Sequence, residues 1–139
     1  MNIQDATVLV VDDDPLMRKY ICNTLNRLPV KAIYEAADGK QGLLAANTFT
    51  PDVILSDVHM ASMGGLEFVQ QLRRGADRDI GRIPVIMLSA DDKKETFQDA
   101  VPLGIFGHLS KPPQLSQLKK MMERALKFRH PHQGKEIDK

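Results

Sequence analysis

Short apolar runs alternate with segments of helical period along almost the whole chain. The runs predict five strands, at about Thr7–Val11, Lys31–Ala36, Val53–Ser56, Ile83–Leu88 and Ile105–Ser110. After each run, apolar residues recur every three or four positions, which is the period of an amphipathic helix. Strands that regularly alternate with helices favour a parallel sheet covered on both faces. The pattern therefore predicts an α/β fold with five strands and five helices, and 139 residues suit a single domain.

Caps and helix breakers place the predicted helices. Asp14 precedes Pro15, which suits a first helical position because its missing N–H would be unpaired there, and Pro29 ends that segment. Asp38 predicts the start of a second helix that ends near residue 47. The other helices are predicted at about Leu66–Arg74, Asp92–Val101 and Pro113–Leu126. The polar stretch Gly75–Arg82 is expected to be a surface loop.

Two predicted strands differ clearly in polarity. The second strand carries Lys31 and Glu35 among its apolar residues, a mixture typical of the edge of a sheet. The third strand begins Val53–Leu55 and is wholly apolar there, which indicates burial on both faces. The third strand is therefore expected near the centre of the sheet, and the second at its edge.

Composition excludes several classes of function. The formal net charge is +1 with acids and bases interspersed, so no field of one sign favours nucleic acid or an anionic membrane. No apolar run approaches the roughly 20 residues of a membrane helix, and the first residues lack a signal-peptide pattern. A single cysteine, Cys22, cannot form an internal disulfide. We expect a soluble, cytoplasmic protein without nucleic-acid or membrane partners.

Four of the predicted strands end in residues suited to binding a phosphoryl group. Asp12 and Asp13 follow the first strand, Asp57 the third, Ser89 the fourth and Lys111 the fifth. In an open parallel sheet the loops after the carboxyl ends of the strands form the ligand crevice. Three carboxylates, a hydroxyl and a lysine are therefore expected to meet at one edge of the sheet.

Each of these residues also has a purely structural interpretation. Asp12 and Asp14 could serve only as helix N-caps, and this is the favoured role for Asp14. A second acid directly before a capped helix is not needed for capping, so Asp13 points to a site. Ser89 and Lys111 taken alone would be an ordinary turn serine and a solvated lysine, and only their positions relative to the aspartates indicate function.

At this point the sequence resembles the receiver domains of two-component response regulators. The resemblance rests on five segments in the family's order: Val10–Asp14, Ser56–Met60, Gly65–Glu67, Leu88–Ala90 and Lys111–Pro112. It implies a flavodoxin-like, doubly wound sheet in strand order 2-1-3-4-5. It also implies a receiver domain at residues 1–128, followed by a flexible tail at 129–139.

The resemblance implies a phosphorylation site with Asp57 as the phosphoacceptor. It implies that Mg²⁺ is bound directly by Asp13, Asp57 and the main-chain carbonyl of His59, and by Asp12 mainly through a water. This set of oxygen ligands suits the ion. Lys111 and Ser89 would stabilise charge on the phosphoryl oxygens. Because the carboxylates are clustered, the metal-free site is expected to raise the pKa of at least one of them.

Three further positions are implied to modulate or transmit the signal. In the family, the residues at the positions of His59 and Asp91 influence dephosphorylation, and the position of His108 usually holds an aromatic residue that rotates on activation. The chain departs from the family pattern at His108, at Ala61 where a proline is usual, and at Gly64 where an aspartate is common. The Lys111–Pro112 peptide is a candidate for the cis form.

The implied partners are a histidine kinase or a histidine phosphotransfer protein, and a downstream protein that contacts the fourth helix, fifth strand and fifth helix. Basic residues in that region suit an acidic partner: Lys93, Lys94, Lys119 and Lys120. The resemblance implies a signalling protein, not an enzyme with a separate substrate. A magnesium-dependent aspartyl-phosphate phosphohydrolase, a receiver module cut from a larger regulator or hybrid kinase, and an interaction module without phosphorylation remain as alternatives.

Overall fold

The strands form one parallel sheet in the computed structural model, which describes residues 1–90 and 104–128. The strands are β1 (Thr7–Val11), β2 (Ala32–Ala36), β3 (Val53–Asp57), β4 (Val85–Ser89) and β5 (Gly107–Ser110). Their spatial order is β2-β1-β3-β4-β5, and every neighbouring pair is parallel. The predicted fold class and strand order are confirmed, including the edge position of β2 and the central position of β3.

Four α-helices connect or follow the strands in the described residues. They are α1 (Pro15–Arg27), α2 (Gly39–Phe49), α3 (Gly65–Arg73) and a C-terminal helix (Leu115–Ala125). Short 3₁₀ turns lie at Ile3–Asp5 and Ile80–Arg82. The helix predicted at 92–101 and the tail predicted at 129–139 fall outside the described residues.

Local capping agrees with the sequence pattern. The Asp14 carboxylate accepts hydrogen bonds from the main-chain N–H groups of Leu16 at 3.0 Å and Met17 at 3.4 Å, and Pro15 is the first residue of α1. Asp38 caps α2 in the same way through the N–H of Gln41 at 2.7 Å. The second helix ends two residues beyond the predicted position, at Phe49, where Thr50 adopts a left-handed conformation with φ 45°.

Side chains of the central strands point alternately to the two faces of the sheet and contribute to a separate apolar layer on each face. Leu9 and Val11 of β1 pack with Phe68 of α3 on one face. Val8 and Val10 point to the opposite face, where α1 and the C-terminal helix supply the partners. Because a strand reverses side-chain direction at each residue, this arrangement buries both faces of the sheet and leaves the strand ends as the accessible edge.

The segment Gly75–Arg82 differs from its expected form as a surface loop. Residues 76–79 are exposed, but Ile80 and Gly81 are buried in the second 3₁₀ turn. The reason is Arg73, whose side chain is fully buried beneath this segment. Its guanidinium donates to the carbonyls of Ile83 at 2.6 Å, Gly81 at 3.3 Å and Gly104 at 2.8 Å. Burial lowers the pKa of Arg73 to about 10, so the guanidinium is still charged at neutral pH.

None of the helices in the described residues is long and apolar enough to span a membrane.

Candidate functional site

The carboxyl ends of β1 and β3 bring three aspartates together. Val11 pairs with Ser56, so Asp12, which follows β1, lies beside Asp57, the last residue of β3. Asp13 is next in the chain. One carboxylate oxygen from each of Asp12, Asp13 and Asp57 lies within 4.8 Å of the others. The three acids predicted to meet at this edge of the sheet are therefore adjacent in the structure.

The three carboxylates differ in their exposure to solvent. Asp12 is 1% and Asp57 8% exposed, whereas Asp13 is open to solvent. Burial disfavours the charged form and raises the pKa of Asp57 above its ordinary value of 3.8; the hydrogen bond and charge of Lys111 act against this rise, and the charge of Asp12 adds to it. The expected rise in one pKa is present, although burial contributes more to it than repulsion between the acids.

Lys111 spans two of these carboxylates. Its Nζ lies 2.8 Å from Asp12 Oδ2 and 3.1 Å from Asp57 Oδ1. Burial disfavours the ammonium, but the hydrogen bonds and charges of Asp12 and Asp57 outweigh it and raise the pKa of Lys111. The main-chain N–H of Lys111 donates to the carbonyl of Ser89 at 2.9 Å, which fixes the start of the loop after β5. The Lys111–Pro112 peptide in this loop is cis.

Ser89 completes the edge on the side of β4. It is the last residue of that strand and is 1% exposed. Leu88 pairs with Asp57 across the sheet, so Ser89 lies one residue beyond the level of Asp57 on the neighbouring strand. Sequence reasoning assigned Ser89, Lys111 and Asp57 to one edge, and the strand register brings their backbones there.

The loop after β3 is tied to the acids through its main chain. The N–H of His59 donates to Asp57 Oδ1 at 3.4 Å, and the N–H of Ala61 donates to Asp13 Oδ2 at 3.1 Å. The loop ends at Gly65, whose N–H donates to the carbonyl of Val58 at 2.8 Å. A Cβ atom at Gly65 would overlap the carbonyl oxygen of Asp57, so this close return of the chain requires glycine.

His59 itself is exposed at the rim of the site. The assignment of its main-chain carbonyl as a metal ligand stays a prediction.

The donor set fits a hard divalent cation. Three carboxylates face one lysine, which leaves an excess of negative charge at this edge. The candidate ligands Asp12, Asp13 and Asp57 offer oxygen atoms only, and oxygen is the donor that Mg²⁺ prefers. Asp14 is not part of this set, because its carboxylate caps α1.

The other two predicted modulating residues, Asp91 and His108, lie farther along the chain. His108 is exposed on the outer strand β5 and lines a surface cavity of about 370 Å³ with Lys120, Met121 and Arg124 of the C-terminal helix. Its role as the rotating switch residue stays a prediction. Asp91 and two of the four predicted basic residues, Lys93 and Lys94, fall outside the described residues.

One contact of the site was not found by sequence reasoning. The Nη1 of Arg18 donates to the main-chain carbonyl of Asp12 at 2.7 Å, and its Nε pairs with Glu35 at 3.0 Å. Arg18 follows the cap Asp14 by one helical turn, and helical side chains lean toward the start of their helix. That spacing was the available signal, because it directs the Arg18 side chain back toward the end of β1.

Comparison with protein-family models matches residues 8–123 to the response regulator receiver domain. The chain belongs to this family. Receiver domains are signalling modules that bind Mg²⁺ at an acidic pocket and interact with histidine kinases or phosphotransfer proteins and with downstream targets. The earlier resemblance is confirmed.

Curated relatives include both short and long proteins. Chemotaxis protein CheY1 of Helicobacter pylori is 36% identical over 118 residues, covering 84% of this chain and 93% of that protein. The nitrate/nitrite response regulator NarL of Escherichia coli is 32% identical over 125 residues, covering 89% of this chain but 56% of NarL. A protein-glutamate methylesterase of Koribacter versatilis is 38% identical over 122 residues, and the chain spans 32% of its length. The receiver domain thus spans about a third to a half of the longer relatives.

Solved structures agree with the fold. Chemotaxis protein CheY4 of Vibrio cholerae has a TM-score of 0.79 at 34% sequence identity, with 87% of this chain and 98% of that chain covered. A receiver domain of the Francisella response regulator 1452 has a TM-score of 0.77 at 29% identity, with 88% and 98% covered. The receiver domain described above is therefore similar to these proteins in both sequence and structure.

Proposed function

We propose that this receiver domain accepts a phosphoryl group on Asp57 from a phosphohistidine of a histidine kinase or a histidine phosphotransfer protein, in a magnesium-dependent reaction. The observation that supports this most strongly is the environment of Asp57. Its carboxylate is buried beside Asp12 and Asp13, which follow β1, and lies 3.1 Å from the ammonium of Lys111. Burying an ionised carboxylate costs free energy unless it pairs with an opposite charge or binds a ligand such as a metal ion.

Asp57 is suited to act as the nucleophile. Lys111 places a positive charge against this carboxylate and so favours its ionised form, which needs no general base. In the proposed step an oxygen of Asp57 forms a bond to phosphorus while the bond between phosphorus and the donor imidazole nitrogen breaks. The released imidazole takes up a proton from solvent, and Asp57 becomes an acyl phosphate.

Lys111 and Ser89 are the proposed partners of the transferred group. Lys111 would donate to one phosphoryl oxygen in place of a carboxylate oxygen, and the Ser89 hydroxyl would donate to another. Charge spreads over the phosphoryl oxygens in such a transfer, so fixed donors at the strand ends stabilise it.

The residues proposed to hold Mg²⁺ are Asp12, Asp13, Asp57 and the main-chain carbonyl of His59. A bound divalent cation would offset the repulsion between these carboxylates and the incoming phosphoryl group.

The proposed output is contact with another protein. The exposed charged residues of the C-terminal helix and of the turn after it include one acid, Glu123, and four bases: Lys119, Lys120, Arg124 and Lys127. Together with His108 of β5, part of this surface lines the cavity of about 370 Å³. The excess of positive charge supports an acidic protein surface as the partner.

The remaining assignments are also proposals. The receiver domain spans residues 1–128, and the tail predicted at 129–139 lies outside the described residues. A cytoplasmic location is proposed on the basis of the free thiol of Cys22, which suits a reducing compartment. An aspartyl-phosphate phosphohydrolase would require an acidic residue two positions after its nucleophile, where this chain has His59.

The test is phosphorylation by acetyl phosphate with and without Mg²⁺, followed by intact mass spectrometry. We expect one added phosphoryl group in the wild type that needs Mg²⁺ and is absent from Asp57→Asn. The matched control Asp79→Asn removes an exposed aspartate of the loop before β4 and is expected to react normally. An adduct that persists in Asp57→Asn would contradict the proposed acceptor, and rapid turnover of added phosphomonoesters would favour the hydrolase.

A further inference from the structure

Arg18 of α1 reaches back to the main chain between two of the candidate metal ligands. Its Nη1 lies 2.7 Å from the carbonyl oxygen of Asp12, and its Nε lies 3.0 Å from Oε1 of Glu35 on the edge strand β2. The Arg18 side chain is 20% exposed and that of Glu35 52%. The guanidinium therefore lies mostly beneath the surface and joins β2 to the loop after β1.

The hydrogen bond from Arg18 is one of four that hold Asp12 in place within the described residues. The Asp12 N–H donates to the carbonyl of Ala36 at 3.1 Å. Its carboxylate accepts from the N–H of Asp14 at 2.9 Å and from Lys111 at 2.8 Å. With Arg18 on the carbonyl, the N–H, the carbonyl and both carboxylate oxygens of Asp12 each have a partner.

The carbonyl of Asp12 belongs to the same planar peptide unit as the N–H of Asp13. Because a peptide is planar, a hydrogen bond that fixes this carbonyl also fixes the direction in which the chain enters Asp13. Asp13 is exposed, and the contact of its carboxylate within the described residues is with the N–H of Ala61 at 3.1 Å. The position of this carboxylate is therefore set by the main chain at Asp13 more than by its single hydrogen bond from Ala61.

We propose that Arg18 is a positioning residue, which orients the peptide between Asp12 and Asp13 so that their carboxylates are preorganised for a divalent cation, with Glu35 holding the guanidinium in place. The inference rests on the proposed function and deepens it. A planar guanidinium is suited to this task because its Nε and Nη1 donate in two fixed directions at once. A lysine at this position would carry the charge on a single flexible nitrogen, without two donors held in fixed directions.

Two other roles would give different results. If Arg18 only stabilised the fold, its loss would lower the free energy of unfolding and leave Mg²⁺ affinity unchanged. If it acted only through its charge, its loss would strengthen cation binding because a nearby positive charge would be gone, and lysine would restore the wild-type value. Positioning predicts weaker binding for both Arg18→Met and Arg18→Lys.

The experiment is a calorimetric titration of the full chain with Mg²⁺, accompanied by urea unfolding in EDTA. We expect Arg18→Met and Arg18→Lys to raise the Mg²⁺ dissociation constant by about 10-fold, the lower end of the range for residues that orient metal ligands. Glu35→Gln is expected to fall between these variants and the wild type. Arg27→Met removes the same charge from the exposed end of the same helix and is expected to change the constant less than about twofold.

A second readout follows the peptide itself without metal. In ¹H–¹⁵N spectra recorded in EDTA, the amide resonance of Asp13 is expected to shift in Arg18→Lys and to stay in place in Arg27→Met. Wild-type affinity in both Arg18 variants, tighter binding in Arg18→Met, or full rescue by lysine would each overturn the positioning role while leaving the proposed function intact. A wild-type chain that neither binds Mg²⁺ nor accepts a phosphoryl group would instead refute the proposed function, and this inference with it.

Discussion

The ammonium of Lys111 lies 3.1 Å from Oδ1 of Asp57 and 2.8 Å from Oδ2 of Asp12, so one cation joins the ends of β1, β3 and β5. The ionised form of Asp57 is disfavoured despite this partner, because burial still raises the pKa of its carboxyl group. The metal-free site therefore holds its acids at a cost in stability that a ligand can relieve.

Asp57→Asn is expected to make the metal-free protein more stable at pH 7. The pKa of Asp57 is raised in the folded state, so the fold favours the protonated form, and stability decreases as the pH rises from the unfolded-state pKa of about 3.8 toward the folded-state value. Asparagine removes the buried charge and this pH dependence with it. Urea unfolding in EDTA between pH 3.5 and 7 measures the effect.

Added Mg²⁺ should then make the wild type more stable than Asp57→Asn. A ligand that binds only the folded state stabilises it by about 2.7 kcal/mol at 100 times its dissociation constant. The wild type is expected to gain this stability and Asp57→Asn to gain little. A variant that is less stable than the wild type in EDTA would show that ion pairing with Lys111 outweighs burial.

Asp13→Asn and Asp14→Asn should separate metal binding from helix capping. Loss of the Asp13 carboxylate is expected to weaken Mg²⁺ binding at least about 10-fold with little change in stability, because this side chain is exposed. Asp14→Asn is expected to leave both Mg²⁺ affinity and stability nearly unchanged, since asparagine also caps helices, whereas Asp14→Ala should cost about 1 kcal/mol. Calorimetry and urea unfolding of the same samples measure both properties. Equal Mg²⁺ affinity in Asp13→Asn and the wild type would contradict the role of Asp13.

Gly65→Ala should distort the site, and its neighbour provides the control. A Cβ at Gly65 would overlap the Asp57 carbonyl oxygen and lie 3.0 Å from Cα of Val58, both backbone atoms that cannot swing away. We expect a loss of about 2 kcal/mol in the free energy of unfolding, within the usual range for overpacking, and slower phosphorylation. At Gly64 the nearest atom to an added Cβ is 3.5 Å away, so Gly64→Ala should change stability little. Similar losses in the two variants would argue against the close approach at Gly65.

Arg73→Met should be strongly destabilising, although Arg73 lies away from the acids. The guanidinium is fully buried, and its removal leaves the carbonyls of Gly81, Ile83 and Gly104 without this donor. Each buried acceptor that loses its partner costs about 1–3 kcal/mol, so we expect a total of roughly 3 kcal/mol. Arg74→Met, at the adjacent exposed position, is expected to cost less than about 0.5 kcal/mol. Urea unfolding of both variants is the measurement, and equal stability would show that methionine can fill this space without loss.

Cys22 should react slowly with alkylating reagents. The pKa of its thiol is raised to about 11, mainly by burial and in part by the charge and hydrogen bond of Glu35, while the charge of Arg18 acts in the opposite direction. Thiolate is the reactive form, so alkylation by iodoacetamide at pH 8 is expected to be roughly 100-fold slower than in the urea-unfolded chain. Glu35→Gln should lower the pKa and speed the reaction. Intact mass against time and pH measures this, and equal rates in folded and unfolded protein would contradict it.

Much of the fold follows from local pattern. The polar residues Lys31 and Glu35 predicted an edge strand, the apolar run from Val53 predicted a central one, and the Asp14 cap was correct to the residue. These features depend on the conformational preferences of the backbone and on the spacing of apolar side chains. Both can be read from a short stretch of consecutive residues. Parallel strands also carry their carboxyl ends to one edge, which is why the meeting of Asp12, Asp13 and Asp57 could be predicted.

Contacts between distant segments could not be predicted in this way. Nothing near Arg73 in the chain indicates that three carbonyls up to 31 residues away would enclose its guanidinium, or that Ile80 would be buried above it. The spacing of Arg18 from Asp14 directs its side chain toward the end of β1 but does not select the carbonyl of Asp12 as its acceptor. The sequence also does not show that Lys111 would divide its bonds between two acids. By itself the sequence determined the strands, the caps and the edge at which the acids meet. The tertiary structure decided which charges are buried and what holds each of them, because desolvation and hydrogen bonding depend on how segments pack in three dimensions.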